Sequence, residues 1–333
     1  MTPTLVRAAA LALVAALLAG CQTDMPLVDL KERYGPPPSQ FLPMDGIQVH
    51  WRDEGPRAVD RHGAVARAGA ADPKAPEPPA VLLLHGAASS LHTWDGWVQR
   101  MSGQFRVVRL DLPGFGLTGP HPSGDYSAAA TVDFLERFAD AAGLERFAIV
   151  GNSLGGYYAW HFALRHPERI KALVLIDSAG FQVEHSGSSA MALRLARTPV
   201  VSELMRYAPI EGAVRRSLRE VYGDPAKVTP GLVERYAELM RRPGNRAAFG
   251  DRSRTAPQPT GWERVHQIAV PTLILWGQRD PWIPVADGER FQRSIAGSRL
   301  IVYPELGHLP MEEDPERTAR DAIEFLRSTV GPK

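Results

Sequence analysis

Three residues in this chain have types, and an order, that could perform nucleophilic catalysis: Ser153 in "AIVGNSLGGYY", Asp280 in "LILWGQRDPWIP" and His308 in "YPELGHLPMEEDPE". A serine hydroxyl is a poor nucleophile until a base takes its proton, and a histidine base needs a carboxylate to hold its tautomer and stabilise the imidazolium. The run "GNSLG" fits G-x-S-x-G, in which a tight turn lifts the serine oxygen above a sheet while glycines let strand and helix approach. A helix N-cap serine beside packing glycines would read the same way in isolation. Context decides between them: an apolar run, 147–150, precedes the serine and helical periodicity follows it. Such a turn also points the hydroxyl toward the positive end of the following helix. Asp280 and His308 each follow an apolar run, so all three expected residues sit at strand C-terminal ends.

Asp280 has a rival as the acid. Asp177, in "VLIDSAG", also ends a strand, and beside Ser178 it reads as a brace for the turn that follows. Developing negative charge on a substrate oxygen would need backbone donors, expected at the N–H groups of Leu154, after the serine, and of Ala87, in the loop after "VLLLHGAASS". His85 precedes a glycine at a strand end and is expected to pack beneath that loop. Asp111, in "RLDLPGFGLTGP", is expected to form a turn.

The elements that must position these groups are readable as a pattern. The apolar runs "AVLLL", "FRVVRL", "FAIV", "KALVLI", "PTLILW" and "LIVY" predict strands buried on both faces. Amphipathic helical segments such as 127–142 and 154–165 lie between several of them. This alternation predicts an α/β architecture, a mostly parallel sheet with helices on both faces. The interval 182–267 has helical periodicity without a strand and predicts a helical cap, inserted before the penultimate strand and folded over the strands' C-terminal edge. The core then comprises 41–181 and 268–333. Within it, Asp45-Gly46 between two short apolar runs predicts a hairpin, and the stretch from Pro56 to Pro79 predicts a surface loop.

The chain opens with one positive charge, Arg7, then an apolar run and small residues, which predicts a secretory signal over 1–20, too short to span a bilayer. The run Leu18-Ala19-Gly20-Cys21 resembles the lipobox of bacterial lipoproteins, which implies lipidation of Cys21, the only cysteine. Residues 21–40, with "GPPPSQ", are expected to form the lipidated N-terminus and a tether. Gln22 follows the cysteine; in the Gram-negative sorting pattern this resembles, aspartate there favours retention in the inner membrane, so the outer membrane is expected. Removing 20 of 333 residues leaves 313, and loss of Arg7 leaves 37 basic against 37 acidic side chains, a balance that gives no pull toward nucleic acid. No internal disulfide can form, so stability must come from a core that 44% hydrophobic residues can supply. No metal-ligand cluster, phosphate loop or dinucleotide fingerprint is read, and no cofactor is expected.

Together "HGAASSLHTW", "DLPGFG", "GNSLGG", "LWGQRDPWIP" and "GHLPMEEDP", in this order, resemble the α/β-hydrolase superfamily over roughly residues 41–330. The resemblance implies Ser153 as nucleophile, Asp280 as acid, His308 as base and Ala87 with Leu154 as oxyanion donors. It implies an esterase acting on a small-molecule ester through an acyl-enzyme. Asn152 before the serine is similar to hydrolases that cleave carbon–carbon bonds in ring-fission products, although their glycine-proline-glycine loop is absent. Serine at the elbow argues against epoxide hydrolases and haloalkane dehalogenases, which use aspartate. A cofactor-free haloperoxidase and a non-catalytic lipoprotein binding module are the remaining alternatives.

Overall fold

Strands that are apolar on both faces need cover on both, and the chain supplies it. The computed structural model describes residues 23–56, 78–181, 210–255 and 259–330, with side chains of 253–255 excepted. The expected signal peptide, Cys21, Gln22 and the first part of the expected cap therefore lie outside the described residues.

In chain order the elements are α1 (Leu27–Tyr34), β1 (Gln40–Met44), β2 (Ile47–Glu54), β3 (Ala80–Leu84), α2 (Asp95–Met101), β4 (Arg106–Leu110), α3 (Ala128–Ala141), β5 (Phe147–Asn152), α4 (Leu154–Arg165) and β6 (Ile170–Ile176). After these come α5 (Glu211–Val221), α6 (Pro230–Met240), α7 (Asn245–Thr255), β7 (Thr272–Gly277), α8 (Val285–Ser294), β8 (Arg299–Tyr303), α9 (Pro310–Glu313) and α10 (Pro315–Val330). The strands form one eight-stranded sheet in the order β1-β2-β4-β3-β5-β6-β7-β8. Only β1 with β2 and β2 with β4 pair antiparallel; the remaining neighbours are parallel. The β1–β2 hairpin turns at Asp45-Gly46, both at positive φ (51° and 79°), the backbone this two-residue turn requires.

Alternation along each strand divides the core into two layers. Val81 and Leu83 of β3 face Trp97 of α2 and Leu326 of α10, whereas Leu82 and Leu84 face Phe138 of α3 and Phe162 of α4. The six apolar runs read from the sequence are the six strands β3 to β8. Helix α3 starts where expected because the Ser127 hydroxyl accepts from the Ala130 N–H (3.2 Å).

The described part of the interval between β6 and β7 contains α5, α6, α7 and two short 3₁₀ turns and no strand. It is the helical cap inserted before the penultimate strand. The proline-rich stretch before β1 is more ordered than a bare tether, since it contains α1. Leu30 of α1 is buried with Leu239 of α6 and Leu117, and Arg33 pairs with Glu238 of α6 at 2.7 Å.

Candidate active site

Ser153 joins β5 to α4 at φ 53° and ψ −116°, a conformation strained for any residue with a side chain. Two close approaches enforce it. A Cβ on Gly151 would lie 2.3 Å from the Gly155 carbonyl oxygen, and a Cβ on Gly155 would lie 2.2 Å from that of Leu84, so only glycine lets α4 press against β5 and β3. The Ser153 N–H donates to the Ile176 carbonyl of β6 (3.0 Å), which fixes the elbow to the sheet.

His308 follows β8, and its Nδ1 lies 2.6 Å from Oδ2 of Asp280, which follows β7. The other Asp280 oxygen, Oδ1, accepts from the backbone N–H groups of Trp282 (2.7 Å) and Ile283 (3.0 Å). With Nδ1–H committed to Asp280, Nε2 is the ring nitrogen left to take a proton. Ser153 and His308 line the same cavity of about 350 Å³, together with Ala87 of the loop after β3. Such a volume holds a small or medium organic ligand.

His308 therefore bonds to Asp280, and Asp177 takes a different part. Its Oδ1 accepts from the Gly277 N–H (2.9 Å) at the end of β7. Burial, followed by the nearby charge of Asp280, raises its pKa well above the ordinary carboxyl value, which favours its neutral form behind the pair. The facing atoms of Asp177, Asp280 and His308 lie within 4.8 Å of one another, the one such group among the described residues. The cluster is close enough for a cation, but a 2.6 Å N–H···O bond already joins His308 to Asp280, and Asp280 Oδ1 is occupied by two N–H groups.

The supporting histidines and acids divide as their surroundings dictate. His85 is fully buried; its Nδ1–H donates to the Gly86 carbonyl (2.7 Å) and its Nε2 accepts from the Leu112 N–H (3.0 Å), so it props up the loop that carries Ala87. Burial lowers its pKa and keeps it neutral. Asp111 accepts from the N–H groups of Leu91 and Leu117, both at 2.7 Å. Burial is the largest single influence and would raise its pKa, but the surrounding histidines, His50 with its hydrogen bond foremost, together outweigh it and hold Asp111 below the usual carboxyl range.

Several structural roles escaped the sequence pattern. Asn152 Nδ2 donates to the carbonyls of His308 (3.0 Å) and Ile176 (3.2 Å), clamping the elbow to the histidine loop. Tyr236 of α6 joins Ser89 of the Ala87 loop (3.1 Å) to Glu312 beyond His308 (3.0 Å), and Arg235 pairs with Glu312 at 2.6 Å. Glu313 accepts from the N–H groups of Gly307 (2.7 Å) and Gly223 (2.8 Å), and the His308 N–H donates to Val221 at the end of α5 (2.7 Å). The acidic pair in "MEEDP" was the available signal.

A second Ser–His–Asp row was also invisible in the sequence: Ser39 Oγ lies 2.8 Å from His50 Nε2, and His50 Nδ1 lies 2.7 Å from Asp111. Here the serine oxygen already accepts from Arg52 Nε (3.0 Å) and the acid accepts from two backbone N–H groups. The row ties the hairpin to the 111–117 loop.

Comparison with known proteins agrees with this architecture. A family model described as the alpha/beta hydrolase fold matches residues 79–315. The chain is 27% identical over 262 residues to a 2-hydroxy-6-oxo-6-phenylhexa-2,4-dienoate hydrolase of Comamonas testosteroni, covering 76% of this chain and 90% of that one. It is 28% identical over 262 residues to a monoacylglycerol lipase of Xenopus laevis, covering 74% of this chain and 75% of that one. Among solved structures, a meta-cleavage product hydrolase from Pseudomonas fluorescens IP01 superposes with a TM-score of 0.69 at 26% identity, covering 87% of this chain and 97% of that one. The chain thus belongs to the α/β-hydrolase fold family and is a hydrolase.

Proposed function

We propose that this hydrolase cleaves carboxylic esters through Ser153, His308 and Asp280. The observation that carries the reading is the 2.6 Å bond from buried Asp280 to His308, which lines the same cavity as Ser153 on its strained turn. Ser153 Oγ attacks the carbonyl carbon and its proton passes to His308 Nε2, while Asp280 stabilises the imidazolium. The N–H groups of Ala87 and Leu154 hold the oxyanion, and collapse expels the alkoxide, which takes the proton from His308. Water, deprotonated by His308, then attacks the acyl-enzyme, releases the acid and returns the proton to Ser153. The wall of Ile210, Ala213, Val214, Leu218, Val221 and Met240 supports an apolar acyl chain as the bound group.

Labelling by a fluorophosphonate, located by mass on Ser153 and absent from Ser153→Ala, tests the mechanism. Turnover of an ester series tests the substrate class. The carbon–carbon alternative has a specific support in the Comamonas testosteroni relative, named for such a hydrolase, and in Asn152 before the serine. Faster turnover of a ring-fission dienoate than of any ester would favour it.

We further propose that the enzyme is an envelope lipoprotein of the outer membrane, acylated on Cys21. The lipobox-like run and Gln22 support this reading. Among the described residues no helix is long and apolar enough to cross a membrane. Intact mass of the mature N-terminus and detergent partitioning test it.

A further inference from the structure

The first described residues do not trail away from the enzyme; they are fastened to the cap. The Thr23 carbonyl accepts from Arg241 Nε (3.0 Å), and the Met25 N–H donates to the Arg241 carbonyl (2.8 Å). Asp24 pairs with Arg246 at 2.7 Å, and Arg246 lines the cavity. Helix α6 presents opposite neighbours at successive positions, Leu239 against Leu30 of α1 and Met240 to the cavity. Cys21 precedes Thr23 by two residues, so a fully extended chain carries its Cα no more than about 7 Å away. Whatever Cys21 is attached to is therefore tethered within that reach of the Thr23–Arg241 contact, at the C-terminal end of α6.

Two exposed apolar side chains lie at the cavity and a third on the clamped helix α1. Among the described residues three large hydrophobic side chains stand exposed: Val28 (70%), Phe249 (36%) and Trp282 (44%). Val28 is on α1, beside the attachment point, while Phe249 and Trp282 line the cavity at its rim, Trp282 with its ring 5.2 Å from that of His308. Surface apolar groups scattered singly need no partner, but these coincide with the anchored helix and the cavity mouth.

We infer that the clamped N-terminus turns the cavity mouth onto a lipid bilayer, so that the enzyme draws an acyl ester lipid from the membrane holding it. This rests on the ester-hydrolase and Cys21-acylation readings. The bilayer is the occupant that the chain itself supplies: acyl chains on Cys21 insert permanently, and a reach of about 7 Å leaves the cap no route away from the surface. Val28, Phe249 and Trp282 then dip into the interface, where aromatic rings are favoured.

The test uses the processed, lipidated chain in phosphatidylethanolamine–phosphatidylglycerol vesicles. Because Cys21 is the only natural cysteine, Val28→Cys, Phe249→Cys and Glu168→Cys each give one labelling site once Cys21 is acylated. Glu168 precedes β6, at the sheet edge opposite the strand ends that carry Ser153 and Asp280. Nitroxide lipids should quench a fluorophore at 28 and 249 several-fold more than one at 168. Diacylglycerol added to these vesicles should turn over at least tenfold faster with the anchored chain than with one beginning at Gln22, both being equally active on a soluble short-chain ester. Equal or stronger quenching at 168, an unmodified Cys21, or equal diacylglycerol turnover by the two chains would overturn the inference. Absence of fluorophosphonate labelling would sink the ester reading and the lipid-substrate half with it, while the quenching pattern reports the orientation separately.

Discussion

Ser153 occupies a backbone conformation that only its neighbours can enforce, and the His308 that shares its cavity is held by Asp280. Ser153→Ala and His308→Ala are each expected to lower ester turnover by about 10,000-fold or more with the fold intact, measured as kcat on purified protein. Asp280→Asn should lose on the order of 10,000-fold, because the neutral amide no longer selects the productive histidine tautomer. Asp177→Asn should keep most activity, since His308 bonds to Asp280 and asparagine preserves the shape of Asp177 and an acceptor for the Gly277 N–H. Linkage gives a second readout. Asp177 has a raised pKa in the folded state, so its contribution to stability is full below the ordinary carboxyl value of about 4 and is lost as pH rises toward its own higher value. In Asp177→Asn, thermal stability should therefore fall less steeply with rising pH above about 4 than in the parent. Ser153, Asp280 and His308 could be singled out in the sequence because each follows an apolar run, and the structure joins Asp280 to His308 and puts His308 and Ser153 on one cavity. Asn152, Tyr236 and Glu313 could not: their partners lie between 6 and 156 residues away and arise only when separate loops meet.

At the level of elements, the sheet was legible because a strand buried on both faces must be written as a continuous apolar run. The cap was legible only as an interval with the wrong periodicity for a strand. Its bonding was hidden, because hydrogen bonds from α5 and α6 to the His308 and Ala87 loops depend on packing angles that no local pattern records. The cap both walls the cavity and braces the loops that carry Ala87 and His308, and different residues do each. Val214→Ala and Leu218→Ala, which enlarge the wall of α5, should shift preference toward longer or bulkier acyl groups, seen as changed ratios of kcat/KM across an ester series at similar fluorophosphonate reactivity. Tyr236→Phe removes a hydroxyl shared by Ser89 and Glu312, at a cost of about 1–3 kcal/mol in lost buried hydrogen bonding. If that tie positions the Ala87 loop, kcat should fall more than KM rises. An effect confined to thermal stability would make the tie structural alone.

Across the whole molecule, α1 makes the region before the sheet part of the enzyme's stability. Nothing in "GPPPSQ" announced this, because the stretch before it, "LVDLKERY", is too short to hold a helix in water without a surface to rest on. That surface is α6. Leu30 is fully buried there, worth about 1.5–3 kcal/mol by apolar transfer, whereas the Arg33–Glu238 pair, with Arg33 half exposed, contributes little. A chain beginning at Ser39 should consequently lose about 2–3 kcal/mol relative to one beginning at Gln22, a fall of several degrees in Tm. The loss should be local to the cap, because the strands and both core layers are untouched. Hydrogen exchange of α6 and α7 should accelerate while that of β3, β5 and β6 stays protected. As Met240 and Arg246 wall the cavity, loosening these helices should raise KM for long-chain esters more than it lowers kcat for short ones. Leu30→Ala in the longer chain should reproduce part of the effect without removing any residue. An unchanged Tm and exchange pattern for both variants would mean that α1 only rests on the cap, and the N-terminus would then set where the enzyme sits but not how its cavity is held.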